Sequence, residues 1–276
     1  MGSNKADVYF QNLIGNILDY GDAIETRNSK VKRYTNYMCT FHQAPLVSLR
    51  RTAWKNALRE MEWFLSGSEN IKDLHSSVHP WWKPWADEEC NVINNYSKQF
   101  RRFQGADSGG YCVEEFDQIN YLIGSLKEHP YSRRAIATTW HASDMTSPDT
   151  PITNCHGTTI QLFGNTNGTA DMTMYQRSAD VMLGLQHNWI QYWALLQYLC
   201  ARSGRKVGSF TWIGGDCHIY EAHKEAAVEL SEAILPSYEK ELKLLYTPSD
   251  ESFKADDFQL DGEYEPLETK KLELIV

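Results

Sequence analysis

The chain predicts a mixed α/β fold in a single domain of 276 residues, and three stretches carry that prediction. Residues 49–65 place Ala53, Trp54, Ala57, Leu58, Met61, Phe64 and Leu65 on one face at three-and-four spacing, the pattern of an amphipathic helix, with Gly67 as its stop. Residues 188–201 are apolar nearly all round, which fits a helix buried on every side. Between these, residues 158–163 and 171–175 alternate about Asn165-Thr166-Asn167-Gly168 and read as two strands paired around a turn.

The remaining elements follow in order. Residues 7–20 carry apolar side chains at helical spacing, ended by Gly21. Residues 26–33 are polar and basic, with Arg27, Lys30, Lys32 and Arg33, and read as a solvated loop. Trp81, Trp82 and Trp85 form a dense cluster; tryptophan more often fills a core than stacks on a ligand. Residues 116–126 predict another helix, stopped before Pro130. Arg133 and Arg134 precede an alternating run, 135–140, that reads as a strand, and neighbours on an extended chain point to opposite sides. Residues 143–151 are a loop rich in Ser, Asp, Thr and Pro. Asn188 stands where its helix starts, as an N-cap or a ligand. Residues 209–213 form a strand, and Asp216 is placed to cap a helix running through Ile219, Ala222, Ala226, Leu230 and Ile234. The last forty residues alternate charged and apolar, predicting further strands and a tail ending Leu274-Ile275-Val276.

Bulk properties narrow the function. A chain 42% hydrophobic and 23% charged can bury a large core. A formal charge of −9 argues against a protein that coats nucleic acid, yet leaves room for a small anion held by a few local arginines. Six cysteines show no CxxC or paired metal spacing, so reduced thiols in a cytoplasm and no structural metal are expected. No stretch reads as a signal, a membrane span or a myristoylation motif.

The chemistry concentrates at Ile152-Thr153-Asn154-Cys155-His156 and at Tyr175-Gln176-Arg177-Ser178-Ala179-Asp180. Cysteine attacks as thiolate, which nearby positive charge favours, and a guanidinium grips a phosphate in bidentate fashion. A Cys155–His156 hydrolytic dyad is geometrically poor, because adjacent residues on a strand face opposite ways. Glu60, at the edge of its helix's apolar face, is placed for desolvation and proton transfer.

Together with Gly184-Leu185-Gln186-His187-Asn188, Gly214-Gly215-Asp216-Cys217-His218-Ile219-Tyr220, Glu60 to Leu65, Trp82 to Asp87 and Pro130 to Arg134, these runs resemble the thymidylate synthase family over most of the chain. The resemblance implies a large mixed sheet at a homodimer interface with surrounding helices. It implies one-carbon transfer from 5,10-methylenetetrahydrofolate to carbon 5 of dUMP, with Cys155 adding to carbon 6. Arg177 and Ser178, with Gln176 beside them, Arg27, and Arg133 and Arg134 from a second copy would hold the nucleotide phosphate, and His218 and Tyr220 the ribose. Glu60 and Tyr96 would move protons, Asp180 would anchor the pterin, Trp82 and Trp85 would flank the folate, and the tail to Val276 would close over it.

Asn188 bears on the base. An amide accepts from the uracil ring N–H and donates to its exocyclic oxygen, whereas cytosine presents the inverse pattern, so dUMP is expected over dCMP. The departures from the synthase pattern are polar: Glu62, Asn94-Asn95, Asn154 and Gln186-His187. Glu60-Met61-Glu62-Trp63 and Asn94-Asn95-Tyr96 also resemble the phage hydroxymethylases. Polar groups can hold a water that attacks the exocyclic carbon. The expectation is therefore 5-hydroxymethyl-dUMP, a product suited to a virus that modifies its DNA, with dTMP as the alternative. A dCMP hydroxymethylase and a non-catalytic nucleotide- or RNA-binding relative are the more distant readings.

Overall fold

A computed structural model describes residues 2–26, 29–106, 113–146, 154–238 and 241–275. Among the described residues, six helices of six or more residues surround a six-stranded mixed sheet. Helix α1 (Lys5–Tyr20) starts at Asn4, whose side chain accepts from the Ala6 N–H, and buries Phe10, Leu13, Ile14 and Ile17. Helix α2 (Trp54–Ser66) starts five residues after the predicted Leu49 but keeps the predicted apolar face, and ends at Gly67 with φ of 85°, the left-handed conformation that glycine adopts without penalty. The short α3 (Tyr96–Arg101) is capped by Asn95, which accepts from Ser97 and Lys98. Helices α4 (Gln118–Glu128), α5 (Leu185–Ser203) and α6 (Lys224–Glu232) complete the set.

The sheet strands are β1 (Asp22–Glu25), β2 (Lys30–Phe41), β3 (Ile136–Ala137), β4 (Thr159–Gly164), β5 (Thr169–Asp180) and β6 (Lys206–Tyr220), in the order β1-β2-β6-β5-β4-β3. All neighbours are antiparallel except β5 and β6, which are parallel and joined through α5. One face turns Leu162, Met172, Met174, Phe210, Trp212 and Phe41 into the core beneath α5. The opposite face leaves Met38, Phe163 and Tyr175 exposed. Two strand pairs outside this sheet, Ser237–Tyr238 with Gly2–Ser3 and Lys243–Tyr246 with Phe258–Asp261, answer to the alternation of the C-terminal residues.

Four elements differ from the sequence reading. The basic run taken as a loop enters β2 at Lys30, because its alternation continues through Val31, Cys39 and Phe41. The strand expected over 135–140 is cut to two residues. Gln118 takes the backbone groups of Thr138 for itself, accepting from its N–H (2.9 Å) and donating to its carbonyl (2.7 Å). Asp216 does not cap a helix: β6 runs on to Tyr220, held by parallel pairing of Asp216 with Ser178 and His218 with Asp180. Asn188 is not an N-cap either, since α5 begins three residues earlier at Leu185. Among the described residues no helix is long and apolar enough to cross a membrane.

Candidate active site

Strand β5 carries Gln176, Arg177, Ser178 and Asp180 to its end, where Asp180 Oδ1 accepts from the Met182 and Leu183 N–H groups and turns the chain into α5. That turn sets Asn188 one helical turn into α5, where its Oδ1 accepts from Gln176 Nε2 on β5 (3.0 Å). The Arg177 N–H donates to the Cys155 carbonyl (2.9 Å), so the thiol-bearing and guanidinium-bearing residues are tied through backbone.

Cys155 is half-buried with its Sγ 3.2 Å from the Tyr96 hydroxyl. The same hydroxyl oxygen accepts from the Cys155 N–H (2.8 Å), and Tyr96 is fixed by the Asn95 cap beneath it. His156 stacks on Tyr96 (centroids 4.1 Å apart, 11° between planes) and shares a hydrogen bond with the Tyr192 hydroxyl (2.9 Å). Burial pushes the His156 pKa down to about 3, with the Arg177 charge adding to the effect, so this ring is neutral and serves as packing. Gly157 follows with φ of 59°; a Cβ there would lie 2.1 Å from the Tyr192 oxygen, so this turn requires glycine. The charge environment of the thiol corrects one expectation. Burial raises the Cys155 pKa above its ordinary value and outweighs the Tyr96 hydrogen bond and the Arg177 charge, both of which lower it.

Glu60 projects from α2 with 7% exposure. Trp82 Nε1 donates to one carboxyl oxygen and Gln191 Nε2 to the other, each at 2.5 Å. Burial raises its pKa to about 7 against the pull of those two bonds, so this carboxyl changes charge near neutrality. Trp82 itself is packed edge-on against Trp63, Phe64 and Tyr96 and is 6% exposed. Its indole supports Glu60, a contact the sequence did not suggest.

On the anion side, Arg177 Nε donates to the Asn154 carbonyl (3.0 Å) and its guanidinium carbon lies 5.4 Å from the Trp140 ring centre. His218 is bonded to Asp216 (2.8 Å), which also sits 3.7 Å from Arg33, and packs edge-to-face on Tyr220. Asp180 is raised from its ordinary value by burial, opposed by His218 and His223. Arg50 is buried and donates to Thr269 Oγ1 (3.1 Å) and the Lys270 carbonyl (3.2 Å); Tyr264 and Leu267 bond to Val47 and Ser48. The C-terminal tail is thereby fastened along the segment that precedes α2.

The chain thus links Cys155, Tyr96, Glu60, Asn188, Gln176, Arg177, Ser178, Asp180, His218 and Tyr220 through β5, β6, α2, α3, α5 and the segment before β4. Trp85 is half-buried at the end of the turn Lys83–Trp85. Arg133 and Arg134 are exposed on the approach to β3, their carbonyls accepting from Gln161 and Tyr121. Arg27 and Val276 lie outside the described residues. Sequence reasoning missed Gln191 and Tyr192; a glutamine within an otherwise apolar helix was the available signal.

Most of the polar departures have scaffold tasks, although Asn95 Nδ2, Asn154 Oδ1 and Gln186 Oε1 are buried without a hydrogen-bond partner. Glu62 accepts from the Ala255 N–H (2.9 Å), and Asn94 accepts from Lys98 Nζ (2.6 Å) while adopting φ of 60°. Asn95 caps α3, and Asn154 donates to the Thr139 carbonyl (3.3 Å). His187 Nδ1 bonds the Leu183 carbonyl (2.9 Å) and its Nε2 accepts from the Ala53 N–H (3.1 Å), pinning α2 to α5. Burial holds its pKa down at about 4, in keeping with that neutral ring.

Two comparisons agree with this arrangement. The family model described as thymidylate synthase matches residues 8–276. A thymidylate synthase of Corynebacterium aurimucosum is 34% identical over 233 residues, covering 84% of this chain and 82% of that protein. The chain belongs to the thymidylate synthase family.

Proposed function

We propose that this protein is a dUMP-specific thymidylate synthase that uses 5,10-methylenetetrahydrofolate and releases dTMP. The observation that carries the reading is the meeting of a thiol, a tyrosine hydroxyl and a carboxyl of near-neutral pKa beside Asn188 and Arg177. In this reading Cys155 Sγ adds to carbon 6 of the pyrimidine, making carbon 5 nucleophilic, and Tyr96 donates to the sulfur. Glu60 and Tyr96 handle the protons, and Arg177, Ser178, His218 and Tyr220 bind phosphate and ribose. Gln176 lies beneath them as a support of Asn188.

The residues fit a folate. Asp180 offers a half-buried carboxylate to a pterin N–H, Trp85 offers a half-buried ring face, and Arg50 holds the tail nearby. Bound methylenetetrahydrofolate supplies the one-carbon unit and the hydride. The hydroxymethyl reading rested on polar residues free to orient water; Glu62, Asn94 and His187 are engaged in the scaffold, while Asn95, Asn154 and Gln186 each keep one buried polar atom without a partner. The curated relative is also named as a synthase.

A second copy of the chain covers the exposed sheet face in this reading, bringing its Arg133 and Arg134 to the phosphate. Met38 on β2 and Tyr175 on β5 both register with Ile213 of β6, making an apolar patch on that face.

Mass spectrometry of the product from dUMP and methylenetetrahydrofolate, with dihydrofolate followed by absorbance, tests the proposal. A methyl product with equimolar dihydrofolate is expected. A hydroxymethyl product without dihydrofolate overturns it in favour of the hydroxymethylase.

A further inference from the structure

A buried run of side chains crosses beneath the site. Trp212 Nε1 on β6 donates to Gln176 Oε1 on β5 (3.0 Å). Gln176 Nε2 donates to the Ser178 carbonyl (2.9 Å) and to Asn188 Oδ1 (3.0 Å). Asn188 Nδ2 donates to Gln191 Oε1 (3.1 Å), and Gln191 Nε2 donates to the Ala57 carbonyl (3.0 Å) and to Glu60. Gln176 and Gln191 are 1% and 0% exposed, so both are sealed from bulk solvent.

Chemistry at the two ends dictates the direction of every amide between them. An indole N–H can only donate, so Gln176 must turn its oxygen to Trp212 and its nitrogen to Asn188. A backbone carbonyl can only accept, so Gln191 must turn its nitrogen to Ala57 and its oxygen to Asn188. Asn188 is therefore held from both sides. Reversing it would set N–H against N–H at Gln176 and oxygen against oxygen at Gln191, at two buried contacts.

We propose that Gln191 is a positioning residue that locks the Asn188 amide and ties it to Glu60, so that the site selects a pyrimidine presenting N–H beside carbonyl. The inference rests on the pyrimidine reading above and deepens it. After these bonds Asn188 retains one lone pair on Oδ1 and one hydrogen on Nδ2. Together they match the ring N–H and exocyclic oxygen of uracil. Cytosine needs the reverse, and the lock denies it. The same glutamine donates to the ionised form of Glu60, so base reading and proton transfer share one support. The other titratable groups facing Glu60 are Cys155, on the segment before β4, and Tyr192, on α5; both sense its charge.

Two substitutions separate the two ends. Gln191→Met removes both the acceptor for Asn188 and the donor to Glu60. Gln191→Glu keeps an acceptor for Asn188 and replaces the amide donor with a carboxyl, which donates only when protonated and repels an ionised Glu60. The readouts are titration of dUMP and dCMP binding without folate, and the pH titration of the carboxyl infrared band that Glu60→Gln abolishes. In Gln191→Met the preference for dUMP over dCMP falls about tenfold, and the Glu60 midpoint rises by about one pH unit. In Gln191→Glu the nucleotide preference is kept while the midpoint rises.

A folded Gln191→Met protein with unchanged preference and midpoint overturns the inference. If that variant does not fold, an unshifted midpoint in Gln191→Glu overturns it. A wild-type chain that binds neither nucleotide overturns the pyrimidine reading and the selectivity half of the inference with it. A wild-type chain that prefers dUMP, beside an unaltered Gln191→Met, overturns the inference alone.

Discussion

Removing the Tyr96 hydroxyl by Tyr96→Phe should raise the Cys155 pKa and destabilise the segment before β4. The hydroxyl oxygen accepts from the Cys155 N–H at 2.8 Å, leaving its single proton to reach Sγ at 3.2 Å. A hydrogen bond to a charged group is worth about 1.5–3 kcal/mol, so losing it moves the thiol up by about 1–2 pH units. The orphaned Cys155 N–H costs about 1–3 kcal/mol more in stability. The ring is untouched: phenylalanine keeps the stacking on His156 at 4.1 Å and the contact with Phe64 at 4.6 Å, so the variant reports on the hydroxyl alone. The assay is alkylation rate against pH, followed by mass spectrometry on the peptide carrying Cys155. Localisation matters because Cys90 is also half-buried, while Cys39, Cys200 and Cys217 are buried. A midpoint that stays in place or moves down refutes the assignment of Tyr96 as donor to the thiolate.

Three further outcomes follow from the same geometry. Glu60 has a folded pKa raised from 4.5 to about 7, so the stability it allows is fully present below pH 4.5 and is lost as pH rises through 7. Chemical denaturation across that window should show a loss of about 3 kcal/mol that is missing in Glu60→Gln, and a parallel pH dependence in both proteins would contradict the buried charge. His187→Phe should destabilise the protein by about 1–3 kcal/mol, read from denaturant midpoints, because it strands the Ala53 N–H and the Leu183 carbonyl. It should leave the methyl product unchanged; appearance of a different product would return this histidine to the chemistry. Met38→Lys places a charge on a side chain 64% exposed, on the face we propose a second copy covers, and on that proposal sedimentation should show a shift from dimer toward monomer. Unaltered sedimentation would mean that this face is not the interface.

The helices and the chemistry were more legible in the sequence than the strands and the supports. Helix α2 could be read to its stop because one apolar face and Gly67 agree, and both signals are local. Strand β3 could not, since what shortens it is Gln118, twenty residues away from Thr138 in the chain and visible only once α4 is packed. Asp216 failed as a helix cap for the same reason: its parallel partner on β5 is a long-range fact. The candidate nucleophile, arginine and amide could be picked out by residue type and order, and their roles remain proposals. The polar departures could not be interpreted from sequence, because composition shows that a residue is polar without showing where its polar atoms are used.

His187 makes the point most sharply. As a replacement for an aromatic it reads as added polarity at a pocket wall. In the folded chain both ring nitrogens are taken by backbone groups on two different helices' approaches. A histidine so bound is held neutral by burial and is a brace between α2 and α5, the two helices that carry Glu60 and Asn188. Polarity near a site is therefore evidence for water chemistry only when a polar atom is left over after the scaffold's own donors and acceptors have been matched. By that criterion Asn95 Nδ2, Asn154 Oδ1 and Gln186 Oε1, buried without a partner, stay open to a water, and the group we propose for reading the base is the amide of Asn188. Two bonds fix its direction, and one acceptor and one donor remain for a base.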